Sequence, residues 1–273
     1  MDGEPIAARH EATIRRLTEA ARRDERIAAA WLQGSRADGS ADDFSDVDFY
    51  VAVRDEAFAA FDRLSFIAQA GRVLVHHDPF PFLTICLLEG PVKLDFFSEQ
   101  LSRVADGRRP AVAMLLDKAG VGPRLQTGWE PDRATVARQL DNMLRMIYQG
   151  SSWPVRLLRR GNWATHAYSE MTLIAGTIVP LLLVQRDRRA FERNAMSRER
   201  LLTDGERRQI DELTNETLRA LAARSLPDAY RAHVRTCEAL AESGRAACVM
   251  FGVEFPEAAA AEALRFYERE WPR

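Results

Sequence analysis

Between Leu32 and Val53 the chain reads LQGSRADGSADDFSDVDFYVAV, and no other stretch restricts the fold so tightly. Val47, Phe49, Val51 and Val53 alternate with Asp46, Asp48, Tyr50 and Ala52, the period of a half-buried β-strand. Asp46 and Asp48 therefore point the same way. Two carboxylates on one strand face repel each other and resist joint desolvation unless a cation lies between them. Hard oxygen ligands with open positions suit Mg²⁺ engaged with phosphates. Upstream, Gly34-Ser35 ends an apolar run. Glycine there lets backbone N–H groups approach a phosphate closely, and serine adds a hydroxyl donor.

These residues carry a resemblance. Asp24-Glu25-Arg26-Ile27, Gly34-Ser35, Gly39 and Phe44-Ser45-Asp46-Val47-Asp48-Phe49-Tyr50 resemble the signature of the nucleotidyltransferase superfamily, whose fold DNA polymerase beta typifies. Within it they are most similar to the lincosamide and aminoglycoside antibiotic nucleotidyltransferases, over about the first fifth of the chain. The resemblance implies that Gly34, Ser35, Arg36, Ser45 and Lys118 bind the nucleotide, and that Asp46, Asp48 and Asp95 form a catalytic cluster holding Mg²⁺. It further implies transfer of a nucleoside monophosphate from a nucleoside triphosphate, ATP for preference, to a hydroxyl of a small molecule, with pyrophosphate leaving. The sequence departs from the lincosamide pattern at Lys93, which stands where those enzymes carry glutamate. Asp95 falls on the same strand face and takes the third-carboxylate place.

The rest of the chain is read in order. Ile14, Leu17 and Ala21 predict an amphipathic helix from Glu11 to Arg23, and Ile27 to Leu32 a buried strand that delivers Gly34-Ser35. A helix is expected from Glu56 to Gln69, and strands at Val73 to Val75, Leu83 to Leu88, Val92 to Phe97 and Met114 to Leu116. Pro79 and Pro81 make His76 to Pro81 a loop in this reading. Beyond the Gly- and Pro-punctuated linker at 122–131 only helical periodicity remains, with candidates at Val136 to Ile147, His166 to Leu183, Gly205 to Ala223, Pro227 to Ser243 and Glu257 to Glu270. The expected architecture is α+β: a nucleotidyltransferase domain over residues 1–125, with a mixed β-sheet flanked by helices, then a C-terminal α-helical bundle over 126–273. The bundle is the expected acceptor-binding part and a candidate dimerisation surface; Trp153, Trp163 and Tyr168 are candidate acceptor contacts, and Arg186 to Arg200 reads as a solvated connection.

Composition narrows the partners. With 47% hydrophobic and 29% charged residues the chain is of globular type, and a formal net charge of -2 makes no global case for nucleic acid. Lys93 and Lys118 are the only lysines among many arginines, and Cys86, Cys237 and Cys248 show neither a disulfide framework nor zinc spacing. The N-terminus lacks the apolar core of a secretory signal. The apolar run Leu173 to Val184 is interrupted by Pro180 and falls short of the roughly 20 residues that span a bilayer, so no membrane role and a cytoplasmic location are expected. Two other readings share these residues: a toxin-like or regulatory nucleotidyltransferase acting on protein or RNA, and a catalytically silent nucleotide-binding protein.

Overall fold

The computed structural model describes residues 5–193 and 195–271. The chain divides into two compact units, residues 1–129 and 130–273, each with its own apolar core.

In the first unit, α1 (Ile6–Arg23) buries His10, Ile14, Leu17 and Ala21 along one stripe, and a turn at Asp24 passes the chain to β1 (Ile27–Leu32). A four-residue helix α2 (Ser35–Asp38) and the acidic loop precede β2 (Val47–Val53). Then come α3 (Asp55–Phe58), α4 (Arg63–Ile67), β3 (Val73–Phe80), β4 (Leu83–Leu88), β5 (Val92–Gln100) and β6 (Ala113–Asp117). The six strands form one sheet in the order β3-β4-β5-β2-β1-β6. Only the central β2–β5 pair is parallel; the other pairings are antiparallel. The sheet is therefore mixed. Residues of α1 and α4 pack on one face with Phe49, Phe96 and Leu94, while Val104, Val121 and Leu125 cover Trp31 and Ala52 on the other. Coverage on both faces explains why every residue of β1 is buried and why it reads as an unbroken apolar run.

Two expectations fail here. The helix expected from Glu56 to Gln69 is two short helices, because Asp62 accepts a hydrogen bond from the Ser65 amide and starts α4 afresh. The loop expected at His76 to Pro81 is mostly strand: β3 continues to Phe80. An edge strand tolerates Pro79, which falls in the irregular stretch between His77 and Phe80 where no ladder partner is set opposite it; the pairing also slips between Val73 and Val75.

All the regular elements described in the second unit are helices: α5 (Arg133–Gln149), α6 (Trp153–Arg159), α7 (Trp163–Leu173), a π-helical turn over Ile174–Ile178, α8 (Val179–Val184), α9 (Ala195–Arg200), α10 (Asp204–Ala223), α11 (Leu226–Phe251) and α12 (Glu257–Glu270). Its core joins Leu140, Leu144, Ile178, Leu181, Leu240 and Phe251. Pro180 does not interrupt the helix there. The π turn immediately before it widens the backbone where the proline ring would strike the preceding turn. Trp163–Val184 thus runs as one helix of 22 residues, long and apolar enough to cross a membrane by length and composition, with half of its most apolar window buried inside this unit.

Arg186 to Arg200 is not merely solvated. Arg186 pairs with Glu206 and donates to the Leu201 carbonyl, Arg193 pairs with Asp187, and Arg198 donates to the carbonyls of Ala190 and Phe191.

Candidate active site

The parallel β2–β5 pair sets Asp48 directly opposite Asp95, flanked by Val47 opposite Leu94 and Phe49 opposite Phe96. The four flanking side chains are fully buried in the core, so strand alternation turns both aspartates to the other face. Asp46 stands one step before β2. Lys93 Nζ donates to Asp46 Oδ2 at 2.6 Å and to Asp95 Oδ2 at 3.0 Å, and lies 2.9 Å from Asp95 Oδ1. One ammonium group thereby ties acids that are 49 positions apart in the chain (95 minus 46).

The glycine turn leans on the same cluster. Gly34 has φ +64°, and a Cβ placed there would sit 2.1 Å from Asp48 Oδ2. Only hydrogen fits between that backbone and the carboxylate, which is the physical reason for glycine at this position. The Gln33 amide donates to the Asp48 carbonyl at 3.1 Å, fixing the end of β1 against the start of β2.

Charge in the cluster is unbalanced. Burial pushes Asp48 up to about 6, and the neighbouring charges of Asp46 and Asp95 push the same way, with Lys93 and Arg36 offsetting only part. Asp95 is 18% exposed and Asp46 38%, so the cluster opens to solvent on the Asp46 side. Among the described residues no group of three or more His, Cys, Asp or Glu side chains is arranged to hold a metal ion. Lys93 instead contacts the oxygens of Asp46 and Asp95. Farther along the same face Tyr50 stacks on Phe97 with ring centroids 4.1 Å apart and on Trp31 at 5.7 Å. Arg109 lies over Trp31 and pairs with Glu99, closing the row.

Residues 8–132 match the family model for streptomycin adenylyltransferase. That match spans most of the first unit. Among solved structures, an aminoglycoside 6-adenyltransferase from Bacillus subtilis is similar at 16% identity and a TM-score of 0.40, over 97% of this chain and 98% of that one. A comparison with curated proteins gives no match.

Within the first unit the remaining sequence-chosen residues separate. Gly34 is exposed and Ser35 half-buried beside the acids. Ser45 is spent on its own loop: its Oγ accepts from the Asp42 amide at 2.9 Å and donates to Asp42 Oδ1 at 2.8 Å. Arg36 does not present its guanidinium as an open phosphate fork. Its side chain is 9% exposed, donates to the carbonyls of Ser45 and Asp46 at 2.9 and 3.1 Å, and pairs with Glu11 at 3.1 Å. It braces the segment that carries Asp46.

Lys118 lies elsewhere. Its Nζ donates to the carbonyls of Ala21 and Asp24 at 3.0 and 2.9 Å, neutralising the C-terminal end of α1. In this structure Lys118 caps α1. Sequence reasoning missed three neighbours: Glu11, His10 and the bridging position of Lys93. His10 is 2% exposed, and burial followed by the charge of Arg36 lowers its pKa, so it is a neutral prop beneath the loop. Its position on the buried stripe of α1, four residues before Ile14, was the available signal.

Proposed function

We propose that this enzyme transfers AMP from ATP to a hydroxyl of an aminoglycoside antibiotic of the streptomycin type, with Mg²⁺. The observation that carries the reading is the register of Asp48 against Asp95, with Asp46 tied to Asp95 through Lys93. A carboxylate-only donor set beside a glycine that approaches within van der Waals range fits a hard divalent cation, and Asp48 is raised first by its burial and then by the charges of Asp46 and Asp95. Asp46, Asp48 and Asp95 would hold the ion once Lys93 swings aside. The ion would supply charge neutralisation at the phosphoryl oxygens.

The chain's own residues do the rest. Gly34 and Ser35 bring backbone and hydroxyl groups to the triphosphate beside the acids. Asp95, the least exposed acid of the pair that Lys93 bridges, accepts the proton of the attacking hydroxyl. Asp38 at the end of α2 and Asp42 and Asp43 in the loop after it add further negative charge before the cluster, which attracts a polycationic acceptor and disfavours an anionic one such as RNA. The family match favours the aminoglycoside over the lincosamide as acceptor. Pyrophosphate release from ATP and Mg²⁺, measured with streptomycin, with a lincosamide and with neither, tests the proposal. Acceptor-dependent release with streptomycin supports it; nucleotide binding by calorimetry without release under any condition means a silent binding protein.

A further inference from the structure

The helical unit holds a cavity of about 660 Å³ whose lining residues all lie between Met146 and Tyr267. That volume is within the range of small-molecule sites, roughly 300–1,000 Å³. Leu173, Leu240, Ala260 and Leu264 wall it, and Trp153 and Tyr168, 44% and 74% exposed, stand among the lining residues. Most of its surface is apolar, yet three linked polar groups also line it: Glu170, His233 and Cys237. Glu170 Oε1 bonds His233 Nδ1 at 2.8 Å, and His233 Nε2 bonds the Cys237 thiol at 3.5 Å.

Glu170 and His233 are each 2% exposed. Burial alone would discharge both, but each holds the other ionised: Glu170 lies below its ordinary range, and His233, next to Cys237 and Glu170, well above its own. The pair uses only one carboxylate oxygen. Glu170 Oε2 has no hydrogen-bond partner among the described residues, and neither has the Tyr148 hydroxyl, which lines the same cavity. An ionised carboxylate oxygen left unpaired in an apolar chamber is costly unless something in the chamber donates to it.

We propose that this cavity binds a small, mainly apolar organic molecule carrying a hydroxyl or amine donor, its apolar body against Leu173, Leu240 and Leu264 and its donor on Glu170 Oε2. The site lies wholly in the helical unit and its ligand chemistry differs from that of a nucleotide or a polycationic sugar. It stands whether or not the proposed transfer reaction does.

N-phenyl-1-naphthylamine, an apolar fluorophore with a single N–H donor, is the probe. Titrated into the full chain it gives saturable fluorescence enhancement at one molecule per chain, and 1-phenylnaphthalene, which lacks the donor, competes about tenfold or more weakly. Ala261 is exposed and lines the cavity, so Ala261→Trp obstructs entry and abolishes the enhancement without lowering the melting temperature. A second readout needs no variant. Cys86 and Cys248 are buried whereas Cys237 is half-buried in the cavity wall, and saturating probe slows alkylation of Cys237 by N-ethylmaleimide at least fivefold. Enhancement that does not saturate, equal competition by 1-phenylnaphthalene, or an unchanged Cys237 alkylation rate overturns the proposal.

Discussion

Single residues in the acid cluster carry consequences that can be measured separately. Gly34→Ala puts a methyl group 2.1 Å from Asp48 Oδ2 in a backbone with φ +64°; strain of about 1–3 kcal/mol follows, and transfer falls by about a hundredfold or more as Asp48 is displaced. Chemical denaturation and turnover, measured side by side, check both. Asp48 has a pH signature of unusual sign. Raised from 3.8 to about 6, it keeps in the folded state a proton that the unfolded chain has lost. Stability of the metal-free protein therefore falls as pH rises through that window, by up to about 3 kcal/mol above it, and the penalty is absent below pH 4. Urea unfolding of wild type and Asp48→Asn across pH 4–7 should show a steeper fall in the wild type than in the variant, with Mg²⁺ flattening the difference by placing a cation at the carboxylates.

At the scale of elements, the test falls on Lys118, whose two bonds to α1 carbonyls make it a cap. Lys118→Met lowers stability by about 1 kcal/mol and leaves KM for ATP unchanged; a large rise in KM without loss of stability would return Lys118 to the nucleotide. The same lysine shows where sequence reading stops. Period-two alternation exposed β2, and the apolar run exposed β1 with its own boundaries, because burial on one face or both writes itself directly into residue order. The pairing of β2 with β5 was not written there, since a parallel partner 47 positions away (95 minus 48) leaves no local trace. Asp95 could be placed on the right strand face, but Lys93 bridging it to Asp46 required the register. Pro79 misled because the cost of a proline depends on whether its neighbour needs the missing N–H, and at the irregular sheet edge none does. Arg36 and Ser45 turn inward because loop carbonyls and Asp42 offer nearer partners than solvent does.

The whole molecule is two units with separate cores, the first organised by a sheet that presents acids from two strands and the second by helices around an apolar cavity. Separate cores unfold as separate cooperative events where their ligands differ. Calorimetry should resolve a transition that Mg²⁺·ATP raises and another that N-phenyl-1-naphthylamine raises, and a single transition shifted equally by both would mean the units do not act independently. The near-neutral total charge conceals this division, since the negative field belongs to the loop and strands around Asp46, Asp48 and Asp95. Whether those three acids work as one catalytic group is decided most directly by acceptor-dependent pyrophosphate release in Asp95→Asn beside wild type, at equal melting temperature. A fall of about two to four orders of magnitude is expected for loss of a base that also holds the metal; release at the wild-type rate would contradict the account.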